Sequence, residues 1–564
     1  MLNVHRVIST RYPSFLEKTP KPIYRSFVGF LMKILHQKDI NEFLKKHQNN
    51  NAFSFIEELF SFLDFDYYVG ANQKINIPTS GRVVIIANHP LGALDSLALI
   101  QMVSEVRKDV KIVANDILLA FDPLKEILLP VDLMNKKTNK NAVKRIYSAL
   151  ENDEAVILFP AGEVSRAGLL GIKDGEWNDG FYRFASKLNA PILPIFIKAK
   201  NSWLFYTISS IFKPLSALLL VHEIFKKRSK SIQFTIGEII DLHSAKLEGI
   251  LPKSRTKLFR KHLLKIGKGK EGIIATQSPI AHPEARQIIR SELKKQELLG
   301  QTKDSKMIYL CGYSENSSLM REIGRLREVS FRKVGEGSGS KRDLDRYDKY
   351  YKHLVLWDDE MLEVVGSYRI GECDFISDKD DLYSSTLFAY TKEFEPYLVN
   401  SIELGRSFVQ PKYWGSRALD YLWQGIGAYL KSRPNIRYMF GPVSISNTIV
   451  NAAKEQIVAL YLKHFGEERC LVKAKIPFRV SPFKLLPDAT KSYEEDFIDV
   501  KEQLACMNSA IPTLYKQYSD LCEEGGVKFL DFNIDPEFNH CVDGFILVDI
   551  SKIKEKKRIR YMGN

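Results

Sequence analysis

Val83-Val84-Ile85-Ile86-Ala87-Asn88-His89-Pro90-Leu91-Gly92-Ala93-Leu94-Asp95 is the stretch from which the fold of this chain is read. Its opening run is apolar, β-branched and preceded by Ser80-Gly81, the pattern of a short buried strand. Leu97-Ala98-Leu99-Ile100, just beyond it, begins a helix. A His and an Asp therefore stand at a strand-to-helix turn tightened by Pro90 and Gly92. A histidine oriented by a carboxylate has the chemistry of a general base, because its pKa lies near neutrality and the carboxylate fixes the tautomer. The same residues also describe a turn histidine beside an aspartate that caps the next helix.

Outward from this turn, residues 80–245 alternate strands and helices. Strands are expected at Val83–Ala87, Lys111–Ala114, Ala155–Phe159, Pro191–Ile197 and Ser231–Ile236, with helices such as Lys140–Asn152 and Gly180–Leu188 between them. Such alternation implies an α/β sheet with helices on its faces and catalytic groups on loops at strand ends. A second informative loop is Phe159-Pro160-Ala161-Gly162-Glu163-Val164-Ser165-Arg166. Gly162 lets the backbone approach a ligand, and Arg166 can grip a phosphate or carboxylate in a fork. The alternative is a Pro-Gly turn with a solvated ion pair. A third loop, Ala190-Pro191-Ile192-Leu193-Pro194-Ile195, brackets a strand start with prolines.

The flanking regions differ in character. Residues 1–78 read as helical: Phe27, Phe30, Leu31, Ile34 and Leu35 mix with Arg25 and Lys33, and Ala52–Leu63 is rich in Phe. Such helices pack on a core or sink into a bilayer interface. After the domain expected over 79–250, residues 251–304 read as a basic helical linker, with Lys253 to Lys270 followed by a charged helix from Pro283 to Leu299. A second domain is expected over 305–564. It carries strands at Met307–Leu310, His353–Trp357, Glu363–Ile370, Val399–Phe408 and Tyr438–Val443, and helices at Ser318–Arg332 and Ser416–Tyr429. This order suggests a mixed, half-open α+β sheet.

The chain has 564 residues, more than one core holds, so at least two domains are expected. Its composition, 45% hydrophobic and 27% charged, is globular rather than disordered. The net charge of +14 suits an acidic partner. No finger, RNP motif or recognition-helix pattern supports nucleic acid. The six cysteines lie in the second half without a CxxC pair, which argues against a disulfide framework or a zinc site and fits a reducing cytosol. No signal-peptide pattern is read at the start. The longest apolar stretch, Trp203 to Phe225, is broken by Lys213, Pro214 and His222, so a spanning helix is not expected.

The motif order resembles the glycerolipid acyltransferase family typified by lysophosphatidic acid acyltransferases. That family has N-H-x4-D first, F-P-E-G-T-R third and an apolar strand with prolines fourth. Asn88, His89 and Asp95 stand for the first, Phe159, Pro160, Gly162 and Arg166 approximate the third, and Pro191 to Pro194 the fourth. Leu129-Pro130-Val131-Asp132 loosely echoes the second. The pattern departs in two places: five residues separate His89 from Asp95, and Ala161 occupies the Glu position with Glu163 two further on. The variants resemble a sub-branch of haemolysin-like proteins and aminolipid synthases. The resemblance implies His89 as base, Asp95 as its partner, and Asn88, Gly162, Glu163 and Arg166 as substrate-binding residues; the altered third motif leaves Arg166 open to an α-carboxylate in place of a phosphate.

The second half resembles the ornithine lipid N-acyltransferases, which have a GNAT-like fold and resemble acyl-homoserine lactone synthases. The resemblance rests on Arg327 and Phe331, Asp345 and Asp348, Arg369, Glu403-Leu404-Gly405-Arg406-Ser407-Phe408 and Gly441-Pro442-Val443-Ser444. It implies Glu403 as the base for an attacking amine and Arg327, Asp345, Asp348, Arg369, Arg406 and Ser407 as substrate-binding residues. The usual pyrophosphate loop is degenerate, with one glycine in Gln410–Ser416, which favours an acyl carrier protein donor over coenzyme A.

Together the halves resemble the fused ornithine lipid synthases, some of whose relatives use glycine. The implied activity is a bifunctional acyltransferase: the second domain N-acylates the amino acid from a 3-hydroxyacyl thioester, and the first O-acylates the resulting 3-hydroxyl. Acyl carrier protein and a membrane surface are the implied partners, with no cofactor and no metal. Lys226-Lys227-Arg228 and the stretch Lys552 to Arg560 are candidate docking patches. Peripheral attachment to the inner face of the cytoplasmic membrane follows. The competing readings are a glycerolipid acyltransferase fused to an unrelated GNAT domain, and a non-catalytic, membrane-active haemolysin-like protein.

Overall fold

The computed structural model describes His5 and residues 20–563 apart from 35, 116–120, 132–139, 169–170, 203–204, 207–222, 243–244, 246, 248, 377 and 482–489. Asp132 and most of the Trp203–Phe225 stretch thus lie outside the described residues. The chain forms two compact units, Met1–Pro279 and Ile280–Asn564.

The first unit is built on β1 (Asp66–Val69), β2 (Val83–Ala87), β3 (Val110–Asn115), β4 (Leu128–Val131), β5 (Ala155–Leu158), β6 (Arg166–Gly168), β7 (Gly171–Lys173), β8 (Ile192–Lys198) and β9 (Ser231–Ile236). Seven of these make one sheet in the order β1-β9-β8-β2-β5-β3-β4, while β6 and β7 form a separate hairpin. Neighbours run parallel except β8 and β9. β2, at the centre, is wholly buried. Its alternation serves two cores: Val83, Ile85 and Ala87 face Phe55, Ile56 and Leu99, whereas Val84 and Ile86 face Phe181, Phe259 and Leu263. Each valine and isoleucine side chain of β2 contributes about 1.5–3 kcal/mol of burial, so the strand ahead of His89 is held from both sides.

Two expectations need correction here, and one motif finds its place. Residues 1–78 are not all helical: after helices Lys21–Ile34, Gln37–His47 and Ala52–Leu63 the chain enters the sheet as β1. The echo of the second motif falls on β4, whose Pro130 is tolerated because β4 is an edge strand. Residues 251–304 are not a linker. The helix Pro252–Ile266 buries Phe259 and Leu263 in the first unit, and Arg255 pairs with Asp179 at 2.6 Å. Among the described residues no helix is long and apolar enough to cross a membrane.

The second unit carries β10 (Glu297–Gln301), β11 (Met307–Cys311), β12 (Lys352–Asp358), β13 (Glu363–Glu372), β14 (Phe388–Tyr390), β15 (Ser401–Val409), β16 (Tyr438–Ile445), β17 (Val472–Ala474), β18 (Val527–Asp535) and β19 (Cys541–Asp549). Eight of them form a mixed sheet in the order β10-β11-β12-β13-β15-β16-β19-β18. The charged helix expected to reach Leu299 covers only Arg286–Leu293. A turn at 294–296 ends it, and Glu297–Gln301 becomes the edge strand against β11.

Two irregularities shape this sheet. β15 and β16 are its parallel pair, and they are in register only from Ser401/Tyr438 to Glu403/Phe440. Beyond that they part: the rest of β15 stays on β13 and the rest of β16 on β19. Gly441 marks the parting, where a Cβ would come within 2.1 Å of the Leu404 carbonyl oxygen. β15 also bulges. Ser367 pairs with Phe408 and Arg369 with Gly405, so Tyr368 faces both Arg406 and Ser407. Arg406 takes a φ of 46°, a left-handed conformation that the packing around its side chain must hold.

Candidate functional site

In the first unit the candidate site begins where β2 ends. Asn88 is engaged by the sheet: its Nδ2 donates to the Ile197 carbonyl at 2.9 Å, and its Oδ1 accepts the Ile197 N–H at 2.7 Å. This ties β2 to β8 and fixes the exit direction of the chain. Its amide groups are thus taken by the scaffold rather than facing a substrate. His89 follows, with its ring stacked on Phe159 at a centroid distance of 4.0 Å. That stack joins the first and third motifs.

His89 Nδ1 lies 3.2 Å from Asp95 Oδ1. The two groups face each other, although the contact falls outside hydrogen-bond geometry. Asp95 is fully buried, and its other oxygen accepts the Leu91 N–H at 2.7 Å. It lies in the first turn of the helix Ala93–Ser104, where the helix dipole favours a negative charge. Gly92 enters this helix at φ 95° and ψ −120°, a conformation open only to glycine. The His89 side chain keeps 15% of its surface exposed, so the ring edge carrying Nε2 remains the approach for a substrate.

A residue the motifs did not reveal organises the loop. Asp174 accepts the His89 backbone N–H at 3.3 Å, the Ser165 hydroxyl and the Trp177 indole N–H at 3.2 Å. Its carbonyl takes Arg260 at 2.7 Å. The Ser165 N–H in turn donates to the His89 carbonyl at 2.8 Å. Asp174 stands in no recognisable motif; only its place after the small hairpin β6–β7 brings it back to His89. Gly162 turns at φ 66°, and Glu163 and Arg166 pair at 3.0 Å on a partly exposed loop.

In the second unit the structure gathers Arg327, Asp345, Asp348, Arg369 and Arg406. Arg327 donates to Asp348 at 2.8 Å and reaches His353 Nδ1 at 3.2 Å. Arg369 donates to Asp345 at 2.6 Å and to Asp348 at 3.3 Å. Asp345 and Asp348 also cap each other across the short turn Arg346–Lys349. Arg406 lies 3.2 Å from Asp343 and 3.5 Å from Asp345, donates to the Tyr383 hydroxyl at 3.0 Å, and stacks over Tyr383 and Phe538. The arginines and aspartates balance one another in charge, as buried ions must. Burial opposes ionisation of Asp348, but Arg327 and Arg369 outweigh it and hold that carboxyl well below the usual range. Burial, reinforced by Arg327, lowers His353 to about 4, so it stays neutral.

Glu403 is placed differently from its sequence expectation. It is buried, and its oxygens accept the Tyr351 hydroxyl, the Tyr383 N–H at 3.0 Å and the Ser384 N–H at 2.6 Å. This is the setting of a group that holds the turn Tyr383–Thr386, and through it the Tyr383 hydroxyl beside Arg406. Ser407 is separated from the charged cluster and turns toward Tyr368. Tyr351, Tyr383 and His353 belong to the site but carry no spacing signal, because they come from separate elements.

Residues 6–266 match the acyltransferase family, and residues 326–424 match the acetyltransferase (GNAT) domain. A glycine N(alpha)-acyltransferase of Bacteroides thetaiotaomicron is 32% identical over 302 residues, covering 50% of this chain and 89% of that protein. The chain belongs to the aminolipid acyltransferases. A lyso-glycine lipid O-acyltransferase of the same organism is 29% identical over 247 residues, covering 43% of this acyltransferase and 88% of its relative. An L-ornithine N(alpha)-acyltransferase of Brucella abortus is 29% identical over 243 residues, covering 42% of this chain and 80% of that one. Two kinds of acyltransferase that are separate chains in Bacteroides thetaiotaomicron are thus fused in this one.

The basic stretches are engaged within their own units. Lys226 lies 3.7 Å from Glu223 and Lys227 donates to the Lys200 carbonyl. Lys554 and Lys557 pair with Asp520, and Arg560 pairs with Asp420.

Proposed function

We propose that the second unit N-acylates glycine from a 3-hydroxyacyl thioester and that the first unit O-acylates the 3-hydroxyl of the product, giving a two-chain lipid without phosphorus. The observation that carries the reading is His89 against Asp95 at the end of a strand fixed between two cores. Glycine is preferred to ornithine because the glycine-named relative matches at higher identity and over more of its own length.

In the first unit, His89 Nε2 takes the proton of the lipid hydroxyl as that oxygen attacks the acyl thioester carbonyl. The imidazolium is stabilised by Asp95, and the proton then goes to the departing thiolate. The turn 87–95 contains no Ser or Cys to form an acyl-enzyme, so transfer is direct. Arg166 meets the carboxylate of the lipid headgroup.

In the second unit, the donor thioester arm lies along the β15 edge freed where β16 departs, pairing its amides with the vacant ladder groups. The donor is borne by an acyl carrier protein. Arg406, with 13% of its side chain exposed, is the cation an amino-acid carboxylate reaches. Arg327 and Arg369 are wholly buried and position it through the aspartates. Glu403 acts through Tyr383 as a positioning residue. A peripheral membrane location suits a lipid acceptor, and the helix Lys21–Ile34 exposes Ile23, Phe27 and Phe30 beside its basic residues.

The test is lipid mass spectrometry of a bacterial host lacking aminolipids that expresses the full chain or its His89→Ala form. The wild type should yield a two-chain glycine lipid. The variant should accumulate the monoacyl form, with the two-chain product down about 10³-fold. Equal two-chain lipid from both would remove His89 from the mechanism, and an ornithine headgroup would overturn the choice of amino acid.

A further inference from the structure

Two acids of the second unit stand in the interior with no cation paired to them among the described residues. Asp543 of β19 is 6% exposed, and the one donor to its carboxylate is the weak Cys541 thiol, at 3.7 Å. Glu336, 8% exposed on the loop after the helix Ser318–Lys333, accepts the Ser444 hydroxyl at 3.0 Å. Ser444 of β16 pairs in register with Asp543, so it links the two carboxyls across one rung of the sheet. The buried Lys454 donates to Asn447 instead, at 2.6 Å. Other buried acids of this unit have their cations: Asp348 has Arg327 and Arg369, Glu328 has Arg332, and Asp496 has Lys463. Two carboxyls left without a counter-ion carry a cost that a small cation would offset.

Their place in the sheet names the cation. Val542 and Ile546 enter the apolar core with Tyr368, Ile370 and Leu404, so Asp543 projects from the opposite face, the one that carries Arg369 and Glu403. Arg406 reaches the same face: it donates to the Tyr383 hydroxyl at 3.0 Å, and that hydroxyl donates to Asp535 at 3.5 Å. Asp535 pairs in register with Cys541, two residues before Asp543. Tyr383, Arg406 and Ser444 rim this group and are only partly buried, which leaves it open to a small molecule. A cation and a pair of unpaired acids on one face match the two ends of an amino-acid zwitterion. Burial raises both carboxyls, Glu336 to about 7 and Asp543 well above the carboxylate range; Asp535 and Glu336 add to the rise of Asp543, and Arg406 opposes it. Acids so raised are basic enough to take a proton from an ammonium.

We propose that Asp543 and Glu336 bind the ammonium of the amino acid whose carboxylate meets Arg406, and that this pair is the general base of N-acylation. This rests on the second unit being the N-acyltransferase. The pair takes one proton from the ammonium and passes it to solvent. The freed amine attacks the thioester carbonyl: the C–N bond forms, the C–S bond breaks, and a second proton leaves nitrogen for the departing thiolate. Glu403, engaged by the Tyr351 hydroxyl and two backbone N–H groups, is left to hold Tyr383 in place.

The test uses the purified full chain with a 3-hydroxyhexadecanoyl carrier-protein thioester and two acceptors, glycine and aminooxyacetate. Both acceptors carry a carboxylate, but the aminooxy nitrogen is already unprotonated at neutral pH. Asp543→Asn and Glu336→Gln should each lower kcat/KM for glycine by about 10²-fold or more, and leave that for aminooxyacetate nearly unchanged. With glycine, the wild-type kcat/KM should level off above neutral pH, whereas in the variants it should keep climbing with the fraction of free amine. If Asp543→Asn fails to fold, Glu336→Gln carries the test. Equal losses with both acceptors in a folded variant, or no loss with glycine, overturn the assignment. If the wild type accepts glycine alone, the pH profiles decide, and parallel profiles overturn it. A wild type that acylates neither acceptor at any pH overturns the N-acyltransferase reading itself and is distinguishable from either.

Discussion

His89 and Asp95 lie six positions apart on one turn, whereas Arg327, Asp348 and Arg369 come from a helix, a short turn and a strand. The first site is local: a strand exit, a glycine and one helical turn set its geometry. The second is a product of the whole sheet, its charges buried and mutually dependent. The two sites therefore differ in what substitution does to them. In the local site a replacement removes chemistry and leaves the fold. In the network a replacement strands an opposite charge in the interior.

The largest expected effect falls on the local site. Asp95→Asn should lower O-acylation by about 10³-fold, because the imidazole loses both its orientation and its counter-charge. N-acylation by the same preparation should be unchanged, and a parallel fall in both activities would break the contrast. Asp348→Ala should instead destabilise the second unit by about 3–5 kcal/mol, since it leaves Arg327 and Arg369 short of a partner. Urea unfolding read from that unit checks this, with the first unit's transition as internal control.

A smaller effect concerns pH. His353 titrates at about 4 in the fold and about 6.5 when unfolded. The unfolded chain binds more protons between those values. The His353 contribution is thus complete above about pH 6.5 and falls by about 3 kcal/mol as pH drops toward 4. Glu336, pushed up to about 7 by burial, slopes the other way, so the comparison to make is wild type against His353→Gln. The variant should lose the dependence across that window; equal slopes would sever His353 from the network. The smallest effect belongs to the exposed pair: Glu163→Gln should change stability by less than about 1 kcal/mol, seen as an almost unmoved thermal midpoint.

The same contrast explains what the sequence made legible. β2, β5 and β9 could be read because continuous or alternating apolar runs state their environment directly. The His89–Asp95 pair was legible because its partners share one turn. β1 and β4 were missed because both are short edge strands, one half-exposed and the other containing Pro130. Glu403 and Arg406 could be seen as charged residues on a strand, but not as occupants of opposite roles. That distinction depends on Tyr383, whose turn packs on β15 only in three dimensions. Asn88 shows the converse: a motif residue whose polar groups serve the sheet.

The double-sided packing of β2 bears on how this sequence is able to change. Successive residues enter different cores, so deleting or inserting one residue between Val83 and Ala87 would exchange the two sets. Asn88 would then no longer meet Ile197, and His89 would leave Phe159. Length variation near this candidate turn is therefore disfavoured on the strand side.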